Sequence, residues 1–171
     1  MADHNHRKRR RVALEVSPVP LDDKDVVDQL LELYLHDLSK FTGANVGSRG
    51  RYGYRYLDDY WTDADRHPFL IRVDNHLAGL AFVRSGSPHD MAEFFVMRKY
   101  RRHGIGHDAA QVLFGMFPGE WQIRQLAANT SATKFWRAVI PVAFRQDTIE
   151  MGPVQRFRIE PSASRELRRS P

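Results

Sequence analysis

The segment from Met91 to Phe117 constrains the fold more than any other part of the chain. An apolar run, Met91 to Met97, has the length of a strand. It leads into the basic turn Arg101, Arg102, His103, Gly104, Ile105, Gly106, and then into a helical pattern from about His107. Ala110, Leu113, Phe114 and Phe117 form the apolar face of that helix, and Pro118 with Gly119 stops it. A strand, a glycine-bearing turn and an amphipathic helix in succession commit the chain to a mixed α/β architecture.

The flanking sequence supplies the other elements. Alternation at Val12, Leu14 and Val16 predicts a first strand, closed by Ser17, Pro18 and Pro20. Val27, Leu30, Leu31, Tyr34, Leu35 and Leu38 follow helical spacing and predict a helix over residues 24–38. Residues 42–53 hold four glycines and predict a loop, and residues 54–61 an irregular helical stretch. Phe69 to Val73 and Leu77 to Arg84 pair as a hairpin about Asp74, Asn75 and His76. His89 and Asp90 are expected to turn the chain into the next strand. After the central unit come a strand over 121–128, a helix over 131–140 and a closing hairpin of 142–149 with 154–159.

Charge separates the chain into three parts. The net +5 of the 171 residues comes from an N-terminal arm, residues 1–11, at +4, and a tail, residues 161–171, at +2. Residues 12–160, the expected domain, therefore sum to −1. The overall basicity is not the footprint of a nucleic-acid-binding domain, and the domain is not expected to bind one. A length of 171 residues suits one domain, and 42% hydrophobic with 27% charged residues permits a sizeable core. No apolar stretch approaches a membrane span, and the N-terminus lacks the apolar region of a secretory signal. The absence of cysteine removes disulfides, thiol nucleophiles and thiolate metal sites, and fits the cytoplasm, the expected location.

Within that near-neutral domain, Arg98, Lys99, Arg101 and Arg102 concentrate positive charge beside the start of a helix. Unpaired N–H groups and the helix dipole favour an anion there, and glycines let a phosphate approach the backbone. The alternative is a plain tight turn. A dinucleotide fingerprint does not fit, because Arg102 takes its first glycine position, and a Walker lysine is missing. The eight histidines form no convincing metal set, and no metal is expected. His103 and His107, four apart, suit added phosphate contacts better than ligation.

The run from Glu93 to Gly106, with its Arg-x-x-Gly-x-Gly turn, resembles the GNAT superfamily of acyl-CoA-dependent N-acyltransferases. So does the later spacing of Asn129, Ala132, Phe135 and Trp136, and the order of elements agrees from residue 12 to about 159. The resemblance implies a mixed, mostly antiparallel sheet flanked by helices, whose fourth and fifth strands splay into a cleft. It implies acetyl-CoA as the donor. Pantetheine would bond the fourth strand near Phe95, Val96 and Met97, with Asn129 as a further contact. Pyrophosphate would lie on Arg101, Arg102, His103, Gly104, Ile105 and Gly106. A donor carrying another acyl group on CoA or on a carrier protein fits the same motifs. A non-catalytic module of this fold, with tails that bind protein or nucleic acid, is a further reading.

Acyl transfer to an amine requires removal of a proton from an alkylammonium of pKa about 10. Alternation places Glu93, Phe95 and Met97 on one strand face, so Glu93 is the candidate base, acting directly or through water. Its other reading is an ion-pair partner. Trp136 stands where the family often has an acidic tyrosine, and its expected role is helix packing. The aromatic and acidic stretch 52–65 nominates Asp58, Asp59 and Tyr60 for binding a cationic small-molecule amine through charge and cation–π contact. Polyamine-like, aminoglycoside-like and lysine-like acceptors all fit, the alternative being a solvated amphipathic helix. A homodimer is compatible with the sequence.

Overall fold

A computed structural model describes residues 12–161; the basic arm 1–11 and the tail from residue 162 lie outside them. Seven strands form one sheet: β1 (Leu14–Pro18), β2 (Arg66–Val73), β3 (His76–Arg84), β4 (His89–Val96), β5 (Gly119–Arg124), β6 (Arg145–Ile149) and β7 (Gly152–Ile159). Their spatial order is β1-β2-β3-β4-β5-β7-β6, and every pairing is antiparallel except β4 with β5. Four helices flank it: α1 (Lys24–Thr42), the single turn α2 (Asp59–Thr62), α3 (Ile105–Met116) and α4 (Thr130–Val139).

Strand alternation divides the side chains between two layers. Phe69, Ala81, Val83, Met91, Trp121 and Phe157 pack with α3 and α4. Leu70, Leu80, Phe82 and Phe95 face the other way, toward α1 and α2. Val27 and Leu31 of α1 are fully buried there, each contributing about 1.5–3 kcal/mol of transfer free energy. The helix runs one turn beyond the expected end at residue 38. It stops where Gly43 adopts a left-handed φ of 69° and donates its N–H to Ser39 O.

Two local departures shape the cleft. β4 starts at His89, two residues before the expected strand, so His89 and Asp90 open the strand and do not turn the chain. Its register against β3 then slips: Phe82 faces Glu93, but Val83 faces Met91, leaving Ala92 as a bulge. Toward β5 the parallel pairing is confined to His89 with Trp121 and Asp90 with Gln122. Beyond those pairs the strands part. β5 in turn ends at Arg124, short of residue 128, after which Gln125 N–H donates to Pro153 O of β7 and Ala127 N–H to Met151 O just before that strand.

Candidate active site

The parting of β4 and β5 exposes one edge of β4. Met97 N–H donates to Ala78 O, so Met97 and, two residues back, Phe95 turn their backbone groups toward β3. Phe94 and Val96 therefore turn theirs toward the gap. Arg101 Nε donates to Val96 O at 2.6 Å, which leaves the Phe94 carbonyl and the two N–H groups for a ligand. Two lobes open from this edge, with Tyr34, Leu38, Phe94, Asn129 and Ala132 shared between them.

The first lobe, a cavity of about 660 Å³, is lined on its polar side by Asp37, Arg98, Arg101, Arg102 and Gly106. α3 begins here. Its first helical bond is Asp108 N–H to Gly104 O, so the N–H groups of Ile105, Gly106 and His107 have no intrahelical acceptor. The helix starts two residues earlier than the periodicity suggests because Gly104 takes a left-handed φ of 81° as the N-cap. The two glycines serve different ends. A Cβ on Gly104 would meet only Asp108 Oδ2 at 4.0 Å, so its need is conformational. A Cβ on Gly106 would lie 3.2 Å from the Phe135 ring, so its need is close approach. The backbone at this turn fits a diphosphate, with Arg102 at a positive φ of 62° as part of the same bend.

Asp37 crosses from α1 to this turn. Its oxygens accept from Arg98 at 2.7 Å and Arg101 at 2.5 Å. Burial alone would raise its pKa, but the two guanidinium donors outweigh that and hold it below the ordinary carboxylate value. Part of the basic charge that the sequence concentrates at the turn is thus matched from α1. Of the residues expected to hold the donor, Phe95, Val96, Arg101, Arg102, Gly106 and Asn129 line this lobe. Met97 belongs to the β3 pairing, Ile105 is the buried first residue of α3, and His103 is exposed. Asn129 Oδ1 caps α4, accepting from Ala132 N–H at 3.1 Å and Ser131 Oγ at 3.0 Å.

The second lobe, about 760 Å³, holds Glu93. Tyr34 donates to its Oε2 at 2.6 Å and Tyr54 to its Oε1 at 2.9 Å. Burial pushes the Glu93 carboxyl above its ordinary value, and the two phenol hydrogen bonds counter this only in part. Burial, then the Glu93 charge, likewise raise Tyr34 and Tyr54 and push Tyr60 up to about 12. Tyr60 and Tyr56 line the lobe.

Asp58 and Asp59 do not line either lobe; that expectation is corrected by their partners. Asp58, its side chain 81% exposed, pairs with Lys24, and Asp59 pairs with Arg66 at 3.5 Å. Instead the lobe's charged wall is Arg66, Arg84, Asp90 and Arg124. Arg84 and Arg124 both donate to Asp90 Oδ2, and Asp90 is 5% exposed. Tyr34 carries a sequence signal in retrospect, a polar tip within the apolar face of α1. The Asp90 cluster carries none beyond a charge at a strand start. Trp136 packs against Phe94, Phe114 and Phe135 and is 5% exposed, as expected for helix packing.

The same architecture recurs in solved structures of low sequence identity. An acetyltransferase from Thermus thermophilus superposes with a TM-score of 0.65 at 16% identity, over 84% of this chain and 94% of that one. The PaiA N-acetyltransferase of Thermoplasma acidophilum, in complex with coenzyme A, gives 0.61 at 11%, over 85% and 99%. An aminoglycoside acetyltransferase from an uncultured soil metagenomic sample, in complex with sisomicin, gives 0.61 at 14%, over 80% and 93%. Among curated proteins the chain has no significant match. Residues 27–139 match the family model described as Acetyltransferase (GNAT) family. That span begins in α1 and closes with α4, enclosing the split strands, the glycine turn and every lining residue of the two lobes but Met151: the chain belongs to the GNAT family of acetyltransferases.

Proposed function

We propose that the protein transfers an acetyl group from acetyl-CoA to a primary amine of a small acceptor. The observation that carries this is the open edge of β4 between two unlike lobes. One has free helix N-terminal amides and arginines suited to phosphates; the other has a buried carboxylate held by two phenols. Phe94 and Val96 offer backbone groups along that edge to an extended amide chain, and the turn from Arg101 to Gly106 offers the phosphate contacts. Acetyl-CoA would supply the thioester carbonyl carbon that the amine attacks, with the CoA thiolate as the leaving group.

Glu93 acts on the acceptor. Each of its oxygens takes one phenol hydrogen bond and keeps further lone-pair capacity for the amine proton, received directly or through a water. Its raised pKa moves it toward neutrality, where a general base combines adequate ionisation with adequate basicity. The two phenols fix its orientation. Tyr60 and Tyr56 add aromatic wall for the ammonium form on entry.

Thermal shift with CoA and acetyl-CoA, followed by thiol release across an amine panel, tests the reading. Stabilisation by both ligands and thiol release dependent on an amine are expected. Stabilisation without release from any amine would instead favour a binding module of this fold.

A further inference from the structure

We infer that Arg84 and Arg124 form a carboxylate subsite in the second lobe, so that the acceptor is an amine that also bears a carboxylate. This rests on the reading of that lobe as the amine site.

The charge balance of the lobe is the first ground. Arg66 is matched by Asp63 at 3.0 Å and Asp59 at 3.5 Å. Arg84 and Arg124 share a single carboxylate, Asp90, and both reach the same oxygen, Oδ2. The pair with its counterion is therefore left with one uncompensated positive charge in the cavity wall. A guanidinium has five N–H donors, and each of these spends one on Asp90. The side chains of Arg84 and Arg124 are 39% and 37% exposed, so the remaining donors are within reach of a ligand, while Asp90 is buried behind them.

Incomplete bonding is the second ground. Arg84 Nε, Asp90 Oδ1 and Gln125 Oε1 are buried without a hydrogen-bond partner among the described residues, and all three side chains line this lobe. Buried polar groups are almost always satisfied. Arg84 Nε is the unpaired donor among them and is of the kind a carboxylate satisfies, whereas Asp90 Oδ1 and Gln125 Oε1 are acceptors that need a donor instead. Planar forked donors match a carboxylate better than a point charge does.

Geometry is the third. Without the bulge at Ala92, Asp90 and Glu93 would lie on opposite faces of β4. The extra residue brings both to the α1 side, where Asp90 and Arg84 act electrostatically on Glu93. The lobe is thus negative at Glu93 and positive at Arg84 and Arg124, about three strand residues, or roughly 10 Å, away along β4. An acceptor with an amine at one end and a carboxylate at the other is complementary to that polarity. A lysine-like acceptor fits; a polyamine meets the arginines with like charge.

Thiol release with acceptors matched except for the carboxylate tests this: lysine against cadaverine, and ornithine against putrescine. The carboxylated member of each pair is expected to have the higher kcat/KM. Arg124→Gln should raise its KM about 10- to 100-fold, the worth of a charge-assisted contact, without raising the KM of the decarboxylated amine, for which it removes a like charge. Arg84→Lys, which keeps the charge but loses the fork, should show part of the same effect and guards against a folding defect. Turnover of both members with no preference, or an indifferent Arg124→Gln, overturns the subsite and leaves amine acetylation standing. CoA binding without turnover of any amine overturns both.

Discussion

Removing Tyr34's hydroxyl tests the environment of Glu93 more sharply than removing the carboxylate. Tyr34 donates at 2.6 Å to Oε2, a charge-assisted bond that favours the ionised form. Such a bond is worth about 1.5–3 kcal/mol. At about 1.4 kcal/mol per pKa unit, Tyr34→Phe should raise the Glu93 pKa by about one to two. The acid limb of kcat against pH, measured by thiol release at saturating substrates, should move to higher pH by that amount, with a similar displacement for Tyr54→Phe. Glu93→Gln should abolish the limb and lower kcat by about 10²- to 10⁴-fold. Stability supplies the control for folding. Because the folded pKa of Glu93 is raised, its contribution to stability is full below the unfolded value near 4.5 and is lost as pH climbs through the folded value. Glu93→Gln should therefore gain stability relative to wild type as pH rises from about 4 to about 8. An acid limb unmoved in both tyrosine variants, or turnover within about threefold of wild type in Glu93→Gln, refutes the assignment.

Four further outcomes follow from the fold. Gly104→Ala should cost about 1–2 kcal/mol in urea denaturation, since an L-residue resists the φ of 81°, whereas Gly106→Ala should raise the acetyl-CoA KM by displacing Phe135. Asp37→Asn should remove a stability increment that wild type holds above pH 3.8 and loses as pH falls through the depressed folded value; acid titration of the thermal midpoint should show a shallower fall, by less than about 1 kcal/mol per ion pair. Trp121→Ala should cost about 3–5 kcal/mol in denaturant, because the ring is fully buried between Phe114 and Phe157.

What could be read in advance was local. The alternation of β4 from Glu93 onward, the glycine turn, the apolar face of α1 and the packing of Trp136 are properties of a few consecutive residues, and each appears in the structure, with α3 opening two residues ahead of the periodicity. The missing parts are pairings across long separations. Tyr34 meets Glu93 from 59 residues away, Arg101 meets Asp37 from 64, and Arg124 meets Asp90 from 34. Periodicity gives a side chain a face but not a partner. Asp58 and Asp59 show the cost: composition nominated them, yet Lys24 and Arg66 hold them outside the lobes. The bulge at Ala92 was equally hidden, because nothing in Met91, Ala92, Glu93 departs from an ordinary apolar strand.

Glu93 also bears on the sulfur that must depart in the proposed reaction. Where related proteins often place an acidic tyrosine, this chain has Trp136, whose indole donates a hydrogen bond but does not ionise at neutral pH. Tyr34, Tyr54 and Tyr60 of the second lobe are candidate substitutes, and burial together with the Glu93 charge disfavours their ionisation. Tyr34 and Tyr54 are held above the ordinary phenol value and Tyr60 is pushed up to about 12, in each case by burial first and the Glu93 charge next. A thiol has a pKa of about 8.5, so a proton passed from a phenol near 12 to the thiolate would run uphill by about 5 kcal/mol. The electrostatics that keep these phenols protonated, and so keep Tyr34 and Tyr54 donating to Glu93, are what make them ineffective acids toward sulfur. Tyr34, Tyr54 and Tyr60 therefore do not supply the acid as well as support the base, and in the proposed reaction the thiolate would leave as the anion, to be protonated by water.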